Sequence, residues 1–336
     1  MSSWLIYTGV DEPHDGITRL PEPPNWRTFG GRAALSVPPD NSTEHRRRLG
    51  RIASPPDPDD KTVRMINAAL YLRRPLLITG RPGTGKSSLA YAVARELRLG
   101  PVLRWPITSR STLQEGLYRY DPIARLGDEN LRQIAARQPD AELPADSGIG
   151  RYLRLGPLGT ALLPYSTPRV LLIDEIDKCD IDLPNDLLNV FEDGEYEIPE
   201  LSRLPTDDPV IVRTADRGVE ATIENGLVTC QAFPFVVLTS NGEREFPPAF
   251  LRRCLRLNLP EPSEERIAAI VAAHLGPEMA ARATDLINDF VERRRTGQVA
   301  TDQLLNAVYL AFSAGQTDDP ALTGALLENL SAIEAP

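Results

Sequence analysis

Only three cysteines (Cys179, Cys230, Cys254) and three histidines (His14, His45, His274) occur in the 336-residue chain, all far apart. No cysteine pair stands in a CxxC and no spacing suits zinc, so neither a disulfide framework nor a zinc site is expected. A serine or cysteine triad would have to recruit one of those scattered histidines, which sets that class of hydrolase aside. Long apolar runs are missing too: "VLLI" and "FVVL" suit buried strands and fall far short of a membrane span. "MSSWLIYTGV" has no basic segment ahead of its few apolar residues, so no secretory leader is expected and the cytoplasm is the expected compartment. Positive charge is in deficit, with 37 Lys and Arg against 47 Asp and Glu, and the net charge of −10 argues against wholesale nucleic-acid binding. What remains is a globular composition, 41% hydrophobic and 25% charged, long enough for two domains or one large α/β domain with an appendage.

Residues 1–58 stand apart. They hold nine of the 31 prolines, in "PEPP", "VPPD" and "SPPDP", and also Trp4, Tyr7, Trp26 and Phe29. An entropic linker would be poor in aromatics. Two readings stay open: an arm that docks on another surface, or a tail packed on its own domain. Within it "EHRRRLGR", 44–51, reads as a solvated basic helix face ahead of a contact for nucleic acid or an acidic partner.

From residue 59 strands and helices alternate. Asp59 or Asp60 caps a helix through "KTVRMINAALYLRR", Pro75 stops it, and "PLLIT" is a short buried strand. "KSSLAYAVARELR" is a helix ending at Gly100, and "VLRWPI" is strand-like. Residues 108–168 exceed what one crossover helix needs and read as an insertion, with a helix at "STLQEGLY" and a turn at "LGPLG". After "RVLLIDE" and the helix "PNDLLNVFEDG", a hairpin is expected around Asn225-Gly226, before the strands "FVVLTS" and "CLRLNL". From 261 onward only helices are expected, the last at "PALTGALLENLSAI". The pattern predicts an arm (1–58), an α/β nucleotide-binding domain (59–260) and a small all-α domain (261–336).

"GRPGTGKS" fills G-x-x-x-x-G-K-[ST] between a strand and a helix. Gly80, Arg81, Pro82, Gly83, Thr84, Gly85, Lys86, Ser87 and Ser88 are thus the expected phosphate-binding residues. The glycines let backbone N–H groups turn inward around phosphate oxygens, and the helix adds its N-terminal dipole. Lys86 reaches the β- and γ-phosphates of ATP, while Ser87 ligates Mg²⁺. "RVLLIDEID" places Asp174 at a strand end as a second Mg²⁺ holder and Glu175 as the group that polarises the attacking water. Asp177 and Lys178 are expected on the surface or behind the metal-holding acids.

The combination of "GRPGTGKS", "LLIDE", Asn241 closing a later strand, and "FLRRC" resembles the AAA+ ATPases over roughly residues 60–310. The resemblance implies a P-loop α/β fold with a parallel five-stranded sheet and a helical lid. It also implies that Asn241 is the sensor 1 residue orienting the lytic water. Arg253, with Arg252 second, would be the finger inserted into a neighbour's site, so a homo-oligomeric ring, a hexamer, is implied. Both arginines lack an acid beside them in sequence, which fits an anion on another chain. The insert in the second helix and the hairpin before sensor 1 resemble the MoxR branch. There the implied partner is a client protein, including a von Willebrand A-domain protein in bacterial conflict systems.

One departure stands out: the third lid helix begins "TDQLLNAV", without the sensor 2 arginine many AAA+ lids carry. "ERRR", 292–295, lies in the wrong helix and reads as an exposed helix end. Tyr118 and Tyr120 suit either pore-loop or core aromatics. The alternative functions are a McrB-like nucleic-acid-directed NTPase motor, a monomeric P-loop kinase or switch, and a scaffold whose nucleotide is structural.

Overall fold

The computed structural model describes residues 4–10, 12–32, 34–40, 44–50, 60–135, 148–206, 208–296 and 301–313. The expected cap at Asp59, the "SPPDP" cluster, Arg51 and the helix at "PALTGALLENLSAI" lie outside them.

In chain order the first elements are α1 (Glu44–Leu49), α2 (Asp60–Leu72), β1 (Leu76–Thr79), α3 (Lys86–Glu96) and β2 (Leu103–Pro106). An insert follows, with α4 (Leu113–Leu117), β3 (Tyr118–Tyr120), α5 (Pro122–Ala135), β4 (Leu153–Leu155) and α6 (Pro157–Ala161). Then come β5 (Val170–Asp174), α7 (Leu183–Asp193), β6 (Glu195–Glu197), α8 (Pro199–Ser202), β7 (Val210–Arg213), β8 (Glu220–Ile223) and β9 (Leu227–Thr229). The remainder is β10 (Phe235–Ser240), α9 (Pro248–Arg253), β11 (Leu255–Asn258), α10 (Glu264–Leu275), α11 (Pro277–Arg282), α12 (Thr284–Thr296) and α13 (Thr301–Ser313).

Five strands form one all-parallel sheet in the order β11-β1-β10-β5-β2. Burial follows that order. The central strands β10 and β5 are buried at every residue and β1 at all but its last, while the edge strands β2 and β11 alternate. A strand covered on both faces must be apolar throughout, whereas an edge can leave one face to water. Side chains of period two divide the core accordingly: Leu76, Ile78, Val170, Leu172 and Val237 pack on one face, and Leu77, Leu171, Ile173, Val236 and Leu238 on the other. The helices after β11 have an apolar cluster of their own, centred on Ile267, Val271, Ile287, Phe290, Leu304 and Val308.

The surplus segments build two smaller sheets, β3-β4-β7-β8 and β6-β9. This corrects the expected hairpin. Asn225 and Gly226 do take positive φ (51° and 70°), as a tight turn needs, but only the bridge Glu224–Leu227 closes it. The flanking strands then part, β8 pairing with β7 and β9 with β6. "LGPLG" is likewise no simple turn: Pro157 sits at the start of α6, where its missing N–H costs nothing. Tyr118 is 5% exposed and donates to Glu200 at 2.8 Å, so the core reading holds for it, while Tyr120 is half-buried and accepts from Arg125.

The described part of the arm packs on its own domain. Asn67, fully buried on α2, accepts from the N–H groups of Ile6 and Tyr7 and donates to the Tyr7 carbonyl. Buried Glu96 accepts from Thr8 and Gly9 N–H and meets His14 at 3.1 Å. Arg27 donates to the carbonyls of Arg73 and Phe191. Without the arm a buried carboxylate and a buried amide would be orphaned. The basic cluster is not simply solvated either. Its helix α1 packs on α3, the Arg48 guanidinium lies 5.7 Å from the Tyr91 ring, and the side chains of Arg47 and Arg48 line a cavity.

On α5, Ile123, Leu126, Leu131 and Ile134 form an apolar stripe that is 56–82% exposed.

Candidate nucleotide site

Parallel register brings the carboxyl ends of the central strands level. Thr79 pairs with Ser240, and Pro106 with Asp174, so the segments leaving β1, β5 and β10 converge at one edge of the sheet. The loop after β1 turns through Gly83 and Gly85, at φ 74° and 85°, conformations that other residues resist. Gly80 is required for space as well, since a Cβ there would meet the Leu259 carbonyl oxygen at 2.9 Å.

Lys86 opens α3 and is 7% exposed. Its ammonium donates to the carbonyls of Gly80 (2.6 Å) and Arg81 (2.9 Å) and to Asn241 Oδ1 (2.7 Å). Burial pushes its pKa down, against the pull of Asp177, Asp174 and Glu175. Ser87 Oγ donates to Asp174 Oδ1 at 2.7 Å. Burial pushes the Asp174 carboxyl up, but hydrogen bonds from Ser87, Arg104 and Thr239 outweigh it and hold the group below the usual range. Thr84 is buried and donates to the Arg81 carbonyl, whereas exposed Arg81 pairs with Glu261 at 2.7 Å.

Glu175, one residue past β5, adopts the left-handed conformation (φ 62°, ψ 49°), a sparsely populated one for a side-chain-bearing residue. Thr239 Oγ1 secures it, accepting the Glu175 N–H at 2.9 Å while donating to Asp174 Oδ1 at 2.8 Å. The Glu175 carboxylate takes a hydrogen bond from Lys178 at 2.8 Å, an exposed pair that contributes little to stability. Thr239→Val keeps the volume but orphans the Glu175 N–H and leaves Asp174 Oδ1 with Ser87 as its donor. We expect a loss of about 1–3 kcal/mol in urea unfolding, with recovery in Thr239→Ser.

Of the two places expected for Asp177 it takes the buried one: it is 3% exposed, and its Oδ2 accepts the N–H groups of Asn241 (2.8 Å) and Glu243 (3.1 Å). It holds the backbone from which Asn241 reaches Lys86. Thr301, at the start of α13 where no arginine stands, donates to the Gly83 carbonyl at 2.8 Å. The helices after β11 thus touch the glycine-rich loop through a hydroxyl.

A cavity of about 450 Å³ is lined by Pro82 through Leu89, including Ser88, with Asp174, Glu175, Thr239, Asn241 and Thr301. Its far wall comes from the arm (Tyr7, Leu49) and from α10 (Ile270, His274). Ser87 Oγ and the Asp174 oxygens form an all-oxygen donor set, which suits a hard divalent cation such as Mg²⁺.

The arginine pair lies elsewhere, at the end of α9. Arg253 does have a local acid, Glu192 on α7 at 2.8 Å, which 61 residues of sequence separation had hidden. Both groups are nearly half exposed, so the pair is weak. The Arg252 side chain is exposed and makes no ion pair among the described residues. In "ERRR", Arg293 pairs with Asp289, but Arg294 is 6% exposed, not an exposed helix end, with Glu261 at 3.8 Å and the Phe290 ring 5.9 Å from its guanidinium. The Arg295 side chain lies outside the described residues.

Sequence reasoning missed Arg104, Thr239 and Thr301. Thr239 was findable, because it lies near the end of β10, two residues before Asn241, at the spacing at which extended side chains share a face. Arg104 was a lone charge in an apolar strand.

The family model described as "AAA domain (dynein-related subfamily)" matches residues 75–254, which is 180 of the 336. No curated protein matches the chain.

Proposed function

The chain belongs to the dynein-related AAA family, and on that premise we propose that it hydrolyses ATP in a ring of like subunits to remodel or gate a partner protein. The observation that carries the hydrolytic reading is the joining of both motif halves across one cavity: Lys86 to Asn241 and Ser87 to Asp174. Lys86 and the loop amides hold the triphosphate, and Glu175 takes a proton from the water that attacks the γ-phosphorus. The bond to the bridging oxygen breaks and ADP leaves. Magnesium held through Ser87 and Asp174 would supply charge neutralisation on the phosphate oxygens.

The exposed ion pair Arg253–Glu192 leaves that guanidinium available to a neighbour's γ-phosphate, with Arg252 beside it. Such a finger is worth about 10³–10⁵ in rate. The insert between β2 and β5 supports placement in the MoxR branch, and with it the pairing with a von Willebrand A-domain protein. The stripe of Ile123, Leu126, Leu131 and Ile134 supports a protein partner, since exposed apolar surface of this kind marks protein contact. The test is phosphate release from ATP and Mg²⁺ at rising protein concentration. Specific activity climbing to a plateau fits a site completed between subunits, while a constant value points to the monomeric switch.

A further inference from the structure

Beside the nucleotide cavity, along the edge strand β2, runs an open groove of about 1280 Å³. Arg104 links the two through Asp174, which lines the nucleotide cavity. Its Nε (3.1 Å) and Nη2 (2.8 Å) donate to Asp174 Oδ2, and the same side chain, 37% exposed, lines the groove. Five more arginines surround it: Arg47 from α1, Arg110 after β2, Arg119 from β3, Arg154 from β4 and Arg217 between β7 and β8.

The acids there are already engaged. Glu44 stands 3.5 Å from Arg47 and from Arg48, and Glu115 is 3.7 Å from Arg119. Asp216 binds the fully buried Arg169 through both oxygens. Arg110, Arg154 and Arg217 are exposed and make no ion pair among the described residues. A chain of net charge −10 thus concentrates uncompensated positive charge in one concavity.

We propose that this groove binds an acidic polypeptide segment of a partner protein, and that the segment draws Arg104 away from Asp174. Two features favour polypeptide over nucleic acid. Among the described residues the one aromatic in the lining, Trp105, is 5% exposed and offers no platform on which bases could stack. Val102, Pro157 and Val219, each partly exposed, add apolar contacts between the arginines. Pro101 and Pro106 flank the exposed edge of β2 and hinder strand addition, so recognition runs through side chains.

Arg104 makes the groove more than a docking surface. While it holds Asp174 Oδ2, and Ser87 and Thr239 hold Oδ1, both oxygens of the carboxylate are occupied. A carboxylate in the groove offers the guanidinium another partner and restores negative charge to Asp174. By reciprocity, a cation at Asp174 also releases Arg104 toward the groove, so each ligand strengthens the other. The coupling rests on Asp174 being the magnesium-holding residue; the binding does not.

The test uses the full chain carrying Glu175→Gln, with a short fluorescein-labelled peptide of glutamates and leucines followed by anisotropy. Saturable binding is expected, weakened at least about tenfold by Arg110→Glu with Arg217→Glu or by Arg154→Glu alone, with unfolding midpoints confirming the fold of each variant. The peptide should tighten Mg²⁺-dependent binding of a fluorescent ATP analogue by a factor in the range of about 5–150, and Arg104→Gln should remove that gain. No saturable binding, binding untouched by the variants, or capture of a labelled single-stranded oligonucleotide in place of the peptide overturns the site. Peptide binding without any change in Mg²⁺-dependent nucleotide affinity overturns the exchange at Arg104. Because the anisotropy reads no hydrolysis, a failed groove and a failed ATPase reading give different results.

Discussion

Replacing Lys86 by alanine is expected to weaken ATP binding by about 10²–10⁴, read as the dissociation constant of a fluorescent ATP analogue. An ammonium has three donors, and here all three are used, on Gly80 O, Arg81 O and Asn241 Oδ1. The loop is therefore shaped around this cation before any nucleotide arrives. An entering phosphate exchanges for one or more of those acceptors at little reorganisation cost. Charge-assisted hydrogen bonds contribute about 1.5–3 kcal/mol each, and two of them lost to the phosphates give the stated range. The fold should tolerate the change, because the cation is held at a desolvation cost that lowers its pKa. Unaltered affinity would remove Lys86 from the site.

Glu175→Gln is expected to act on turnover alone. The amide matches the carboxylate in size and leaves the backbone N–H on Thr239, so the left-handed turn after β5 should persist. Ser87, Asp174 and Lys86 are untouched, and nucleotide affinity should stay within about threefold. Without a proton acceptor, turnover should fall by about 10²–10⁴, the usual contribution of general base catalysis. Single-turnover phosphate release separates the two effects. A variant hydrolysing at the wild-type rate would pass the role to another group, and none of the neighbours is as well placed: Asp174 is committed to Ser87, Thr239 and Arg104, and Asp177 to the backbone of Asn241.

Much of this site was legible because its parts are local. The phosphate loop is a contiguous run, and the acids close an apolar strand. Asn241 directly follows another strand with the same apolar signature, so the register of β1, β10 and β5 brings them together with no further information needed. What stayed hidden depends on distant packing. The pairing of Arg253 with Glu192, the burial of Arg294 beside Glu261, and the capping of Asn67 and Glu96 by the arm join residues with no signal in common. The Asn225-Gly226 turn shows a different limit. Turn chemistry specified the reversal correctly, but the partners of the flanking strands were chosen by the insert sheets. Local preference does not carry across a turn when each strand has a better neighbour.

In the proposed reaction centre one subunit supplies Lys86 and Glu175 and the next supplies the α9 arginines. Mixing the Lys86→Ala protein with an Arg252→Ala, Arg253→Ala double variant tests this most directly, with phosphate release as the readout. Each protein alone should be nearly inactive, and the mixture should regain hydrolysis as intact cradles meet intact arginines. Full turnover by the double variant alone, or no recovery on mixing, would contradict it.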